Sequence, residues 1–116
     1  KYWTPMRNDM NAKTQARYEA RARIIKAMAH PARLLILDEL SRNAERCVCE
    51  LTEMVGSDMS TVSRHLAVLK GAGLVEDEKR GQMVFYRLRV KCVLSFFDCI
   101  ESVLACNAKS QQELLT

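Results

Sequence analysis

The five cysteines of this 116-residue chain fall into two patterned sets. Cys47 and Cys49 form a C-x-C pair, and Cys92, Cys99 and Cys106 recur every seven residues. Thiolates are soft ligands that suit Cu(I), Zn(II), Cd(II) and trivalent arsenic or antimony. On a regular α-helix, side chains two residues apart point about 200° away from each other. Cys47 and Cys49 can therefore meet on one ion only at a frayed helix start, where binding would hold the turn unwound. Arg46 beside the pair favours the thiolate form. The plainer alternative is two small buried hydrophobes. Seven residues bring a helix to within about 20° of two full turns, so Cys92, Cys99 and Cys106 share one face. They lie about 10.5 Å apart along the axis, too far for one ion to bridge two of them within a chain. Phe96, Ile100 and Val103 flank the same face, so it reads as an apolar seam.

A second kind of chemistry sits in Met59–Leu66. Ser60, Thr61, Ser63 and Arg64 gather hydrogen-bonding side chains where a helix begins, the end that meets base edges in helix-turn-helix proteins. Arg64 can pair with a guanine, and the hydroxyls can contact bases or phosphates. His65 reads equally as a phosphate contact or a satisfied histidine. Lys79 and Arg80, near a hairpin tip, can reach a flanking backbone or minor groove, against the opposing field of Glu76, Asp77 and Glu78. Charge agrees in sign: the formal net charge is +4, and up to Arg46 there are ten Lys or Arg against five acids. A basic surface favours polyanions, although a solvated helix face gives the same count. No Ser/His/Asp set, phosphate-binding glycine loop or paired carboxylates appear, and His30 and His65 are the only histidines. The expectation is that the chain is not an enzyme.

These residues need a scaffold. Good helix formers from about Asn11 to Ala29 predict a helix ending at His30-Pro31, because Pro disfavours helical backbone in the residue before it. Pro31 suits the first turn of a second helix, which runs to about Ser41. A linker, Arg42 to Arg46, leads to a brief helix from Val48 to Val55 stopped by Gly56. Ser57 and Asp58 can cap the next, Ser60 to Gly71, which carries Val62, Leu66 and Leu69 on its apolar stripe. Two short helices about a glycine turn outline a helix-turn-helix. Leu74 to Leu88 then predicts a two-stranded hairpin with its tip near Arg80-Gly81. A last helix runs from about Val90 to Asn107, followed by a polar tail. The expected fold is mainly α with a small β wing: a single winged helix-turn-helix domain over 1–116, with an arm at 1–12 and a dimerisation helix at 90–107.

Composition excludes other classes. An apolar share of 48% supports a packed core, and four Gly and two Pro argue against a loop-rich chain. No stretch approaches about 18 consecutive apolar residues, so no membrane-spanning helix is expected. The first ten residues lack the apolar core of a secretory signal. An odd number of cysteines without such a signal fits a reducing cytoplasm.

The run CVCELTEMVGSDMSTVSRHLAVLKGAGLVEDEKRGQMVFYRL resembles the ArsR/SmtB family of metal- and metalloid-responsive bacterial repressors. The similarity extends from the HPARLLIL stretch to the last helix. The Cys47-Val48-Cys49-Glu50-Leu51 box resembles the arsenic-sensing branch, as do STVSRHL and LVEDEKRGQMVFYRL in its reading helix and wing. The resemblance implies a homodimer that binds double-stranded operator DNA and releases it on binding an inducer, here trivalent arsenic or antimony on Cys47 and Cys49. The chain departs from the arsenic pattern where a third cysteine is expected and Thr52 stands. A third sulfur then comes from elsewhere or from an exogenous thiol, or two sulfurs hold the ion. The arm offers no Cys or His of the kind that cadmium or lead sensors use. Family members also pair their last helices. An antiparallel pairing with Cys99 on the two-fold axis would set Cys92 against Cys106 of the partner subunit. Cys92 and Cys106 fall near two of the four zinc-ligand positions of the family's zinc sensors, but Val90 and Val103 occupy the others. These three cysteines are thus secondary metal candidates or seam residues. The alternative signals are zinc, cadmium or copper(I), or thiol oxidation.

Overall fold

The computed structural model describes residues 11–115. Its elements are α1 (Ala12–Met28), α2 (Pro31–Arg42), β1 (Arg46–Cys47), α3 (Val48–Val55), α4 (Met59–Gly71), β2 (Val75–Arg80), β3 (Met83–Leu88) and α5 (Val93–Leu115). The expected order of helices and hairpin is present, and the chain folds as a winged helix-turn-helix.

Local chemistry sets the boundaries. Asn11 caps α1 by accepting from the Thr14 N–H at 2.8 Å. His30 does the same for α2, its Nδ1 accepting from the Ala32 N–H at 3.0 Å, with Pro31 in the first turn. Gly56 ends α3 at φ 79°, a left-handed conformation that costs glycine little, and so turns the chain into α4. Asp58 then caps α4, accepting from the Thr61 N–H at 2.7 Å. The hairpin pairs Val75 with Leu88 through to Arg80 with Met83, and Gly81 takes φ 62° at its tip.

The core joins the helix-turn-helix to the wing. Ile36 and Leu37 of α2, Leu51 of α3, and Val62, Leu66 and Leu69 of α4 are fully buried, with Val75 of β2 and Leu88 of β3 beside them. Each such side chain contributes about 1.5–3 kcal/mol by burial, so α4 is held on its scaffold by three residues of one stripe.

Two features differ from the sequence expectation. The linker before α3 ends in a two-residue strand, β1, whose Arg46 and Cys47 pair with Tyr86 and Phe85 of β3 and make a three-stranded sheet of order β1-β3-β2. Next, α5 begins at Val93 rather than Val90 and continues past Asn107 to Leu115, because residues 105–115 are mostly good helix formers without Gly or Pro. Cys92 consequently lies in the turn before the helix, its carbonyl accepting from the Ser95 N–H at 3.0 Å. At the end of α1, Ala27 and Met28 are buried, and Ile24 and Ile25 are exposed.

Candidate DNA interface and thiol site

On α4 the buried stripe of Val62, Leu66 and Leu69 turns the opposite face outward. Ser60, Ser63 and Arg64 are exposed, and Thr61 is half-buried. The Ser60 hydroxyl donates to Asp58 Oδ1 at 3.0 Å, which ties it to the cap. Hydrogen bonds from Thr61 and Ser60 hold the Asp58 carboxyl below its usual range. Four sequence-named residues thus come together at the start of the reading helix. His65 lies apart from them, half-buried against α2. Its ring centroid is 4.3 Å from that of His30, and Arg33 Nη1 is 3.2 Å from its Nδ1. Burial first, then His30, Arg33 and Arg64, push its pKa down, so the ring is held neutral.

The wing separates its two basic residues. Lys79 is exposed and makes no ion pair among the described residues. Arg80 is instead drawn back onto the domain, 2.8 Å from Glu45 and 3.1 Å from Glu78, with its guanidinium 4.6 Å from the Phe85 ring centre. The strand's acids are likewise compensated: Glu76 by Arg87 at 3.7 Å and Asp77 by Lys70 at 3.0 Å.

At the start of α3, Cys47 Sγ lies 2.8 Å from Cys49 Sγ. The convergence that a regular helix forbids occurs because Cys47 is the N-cap of α3, with extended backbone at φ −80° and ψ 161°. Cys47 also closes β1 opposite Phe85, and its N–H donates to Glu50 Oε1 at 2.9 Å. One residue therefore terminates a wing strand and begins the first helix of the helix-turn-helix. Cys47 is 3% exposed, whereas Cys49 faces solvent.

The expected thiolate-favouring effect of Arg46 is outweighed at Cys47. Its guanidinium is engaged by Glu39 at 2.8 Å and Glu50 at 3.6 Å. Burial, and then the hydrogen bond with Cys49, push the Cys47 thiol upward instead. The carboxylates near the pair, Glu39 and Glu50, are residues that sequence reasoning missed. The N-cap-to-Glu spacing of Cys47 and Glu50 is a capping-box pattern that could have revealed one of them.

The pair fits a thiophilic centre. Bonds of about 2.3 Å around a tetrahedral ion hold two sulfurs roughly 3.8 Å apart, so the pair need open by only about 1 Å. Thr52 offers no third sulfur, and its hydroxyl is tied to the helix by donating to the Val48 carbonyl at 2.8 Å. Among the described residues, no group of three or more His, Cys, Asp or Glu side chains is placed to hold a metal ion. A centre at Cys47 and Cys49 would take its remaining donor from outside that set.

Cys92, Cys99 and Cys106 are all exposed and stand apart from this pair. In α5 the apolar face is covered only at its start, where Val93 is buried and Phe96 and Phe97 pack on the core. Beyond that point Ile100, Val103 and Leu104 are bare, at 43%, 52% and 54% exposure. Cys99 sits about 100° round the helix from Ile100, so the thiols edge this face rather than centre it.

A buried helix-turn-helix with an exposed polar reading face and a β wing defines a DNA-binding domain. A family of bacterial regulatory proteins, the arsR family, matches residues 30–77. An HTH-type transcriptional regulator of Methanocaldococcus jannaschii is 39% identical over 85 residues, which cover 71% of this chain and 96% of that protein. The arsenical resistance operon repressor of Escherichia coli K12 is 42% identical over 65 residues, 56% of each chain. The solution structure of a homodimeric winged helix-turn-helix domain from Mycobacterium bovis, Mb0332, superposes with a TM-score of 0.73 at 30% identity, covering 90% of this chain and 95% of that one. The chain belongs to the ArsR family of DNA-binding transcriptional regulators, which are not enzymes. No helix among the described residues is long and apolar enough to cross a membrane.

Proposed function

We propose that the chain is a cytoplasmic, homodimeric repressor of a metalloid-resistance operon. It binds double-stranded operator DNA through Ser60, Thr61, Ser63 and Arg64, with Lys79 on the wing, and is released by trivalent arsenic or antimony at Cys47 and Cys49. The observation that carries this reading is the 2.8 Å approach of the two sulfurs at the junction of β1 and α3. The similarity to a repressor named for arsenical resistance supports it.

The inducer supplies bonding positions that exchange hydroxide for thiol sulfur, with release of water. The chain's own residues convert that exchange into movement. Opening the sulfur pair displaces Cys47, which loosens its N–H bond to Glu50 and its pairing with Phe85. The first strains the start of α3, and the second pulls on the central strand of the wing. Leu51, fully buried one turn on, carries the motion into the core that supports Leu66 and Leu69 of α4. Small losses of register at the reading helix suffice, because base contacts depend on bidentate geometry.

The sulfur separation also favours a second reading, in which oxidation of the same two thiols is the signal. A third keeps the repressor and makes the signal zinc, cadmium or copper(I), with Cys92, Cys99 and Cys106 as secondary ligands. Operator binding titrated with arsenite, antimonite, each metal and a thiol oxidant separates these. Release by arsenite and antimonite alone is expected, and retention of DNA at saturating arsenite overturns the proposal.

A further inference from the structure

The cations of this domain are distributed unevenly between paired and unpaired. Arg42, Arg46, Lys70, Arg80 and Arg87 each face a carboxylate at 2.8–3.7 Å. Arg33 and Arg64 form no ion pair among the described residues; Arg33 sits with His30 and His65 where α2 begins against α4, and Arg64 acts on His65 through its charge. Arg33 is half-buried, and its Nε is buried without an acceptor. The charged groups that act on His65 are His30, Arg33 and Arg64, and no carboxylate is among them. Asp58 senses the charge of Arg64 but is hydrogen-bonded to Thr61 and Ser60.

The position of this cluster gives it meaning. Lys70 and His65 lie about 140° apart around α4, from five residues at 100° each. Lys70 faces the wing through Asp77, and His65 faces α2 through Arg33. That arc holds the buried stripe of Val62, Leu66 and Leu69, and the exposed reading face, with Ser60 and Arg64, spans the remaining arc of about 220°. The wing and the start of α2 are therefore the two shoulders of the reading helix, and a helix lying in a major groove has a phosphate backbone on each side.

We propose that Arg33 and His30, with His65 between them and Arg64, form a second phosphate-binding shoulder on the flank of α4 opposite the wing. The proposal rests on the chain's being a DNA-binding regulator and is independent of which inducer releases it. The partner is the DNA backbone rather than a base, because Arg33 and His30 belong to α2 and not to the exposed face of the reading helix. Burial of an unpaired guanidinium beside two histidines is unfavourable in the free protein, and a phosphate supplies the missing anion.

A fluorescein-labelled duplex of random sequence tests this, since a backbone contact needs no operator. Anisotropy titrations at salt between about 50 and 200 mM give the slope of log K against log salt. Arg33→Gln, which removes the charge but keeps an N–H donor for His65, should reduce the slope by about 0.9 per protomer. Arg33→Lys should restore it. A wild-type slope in Arg33→Gln, or an Arg33→Lys slope no steeper than that of Arg33→Gln, overturns the proposal. A second pair guards against misfolding: Asp and Asn both cap helices well, so His30→Asp and His30→Asn should both fold. His30→Asp should bind the duplex several-fold more weakly than His30→Asn, and equal affinities likewise overturn the shoulder. Arsenite release, measured on the same proteins with operator DNA, reads the inducer proposal separately, so either can fail alone.

Discussion

Replacing Leu104 by Ala should weaken self-association of the protein by about 30-fold. Leu104 retains 54% exposure although it continues the face that begins with the buried Val93 and the packed Phe97. Completing its burial against a second copy is worth roughly half of the 1.5–3 kcal/mol of a fully buried leucine, about 1 kcal/mol. A two-fold axis applies the loss twice, so the dimer loses about 2 kcal/mol, or about 30-fold in Kd. Sedimentation equilibrium over a concentration series measures this directly, and circular dichroism establishes that α5 remains helical. Cys99→Ala is the internal control, because Cys99 edges the bare face and should cost less. Unchanged association in Leu104→Ala, or a larger effect from Cys99→Ala, would refute the assignment of this face to the dimer seam.

Arg64→Ala should weaken binding to the operator more than to random duplex, while Lys79→Ala should weaken both alike and flatten the salt dependence; competition titrations against random duplex check both. His65 is held neutral in the fold, so below about pH 6.5 the unfolded chain takes up a proton that the folded chain resists, and stability should fall as pH drops through that range. Thermal melts from pH 8 to 5 should show this loss in wild type and less of it in His65→Gln. Gly56→Ala meets no atom within 4 Å, so its cost is that of the left-handed backbone at φ 79°, about 1–2 kcal/mol, visible as a melting point lowered by several degrees.

The helix-turn-helix was legible because each boundary carries its own signal: Gly56 permits left-handed backbone, Asp58 caps, and Val62, Leu66 and Leu69 mark one stripe. The thiol pair was legible only conditionally. Helical geometry forbids the Cys47–Cys49 approach, and the exception at a helix start depends on where α3 begins. β1 left no periodic trace, since two residues show no alternation and their strand character exists only through pairing with β3. The effect of Arg46 is outweighed for a related reason: adjacency in sequence placed it beside the thiols, but its charge is claimed by Glu39, seven residues earlier. The polar composition that made residues after Asn107 look like a tail is that of a solvated helix. Of the arm expected at 1–12, residues 1–10 lie outside the described residues, and Asn11 and Ala12 form the cap and first residue of α1.

The most direct test of the account is the arsenite titration of a labelled complex with the DNA upstream of the protein's own gene, wild type beside the Cys47→Ser/Cys49→Ser double variant. Wild type should release the DNA as arsenite approaches one equivalent per protomer, and the double variant should bind the same DNA with unchanged affinity and hold it throughout. Release from the double variant at the wild-type midpoint would contradict the account and move the sensor away from the junction of β1 and α3.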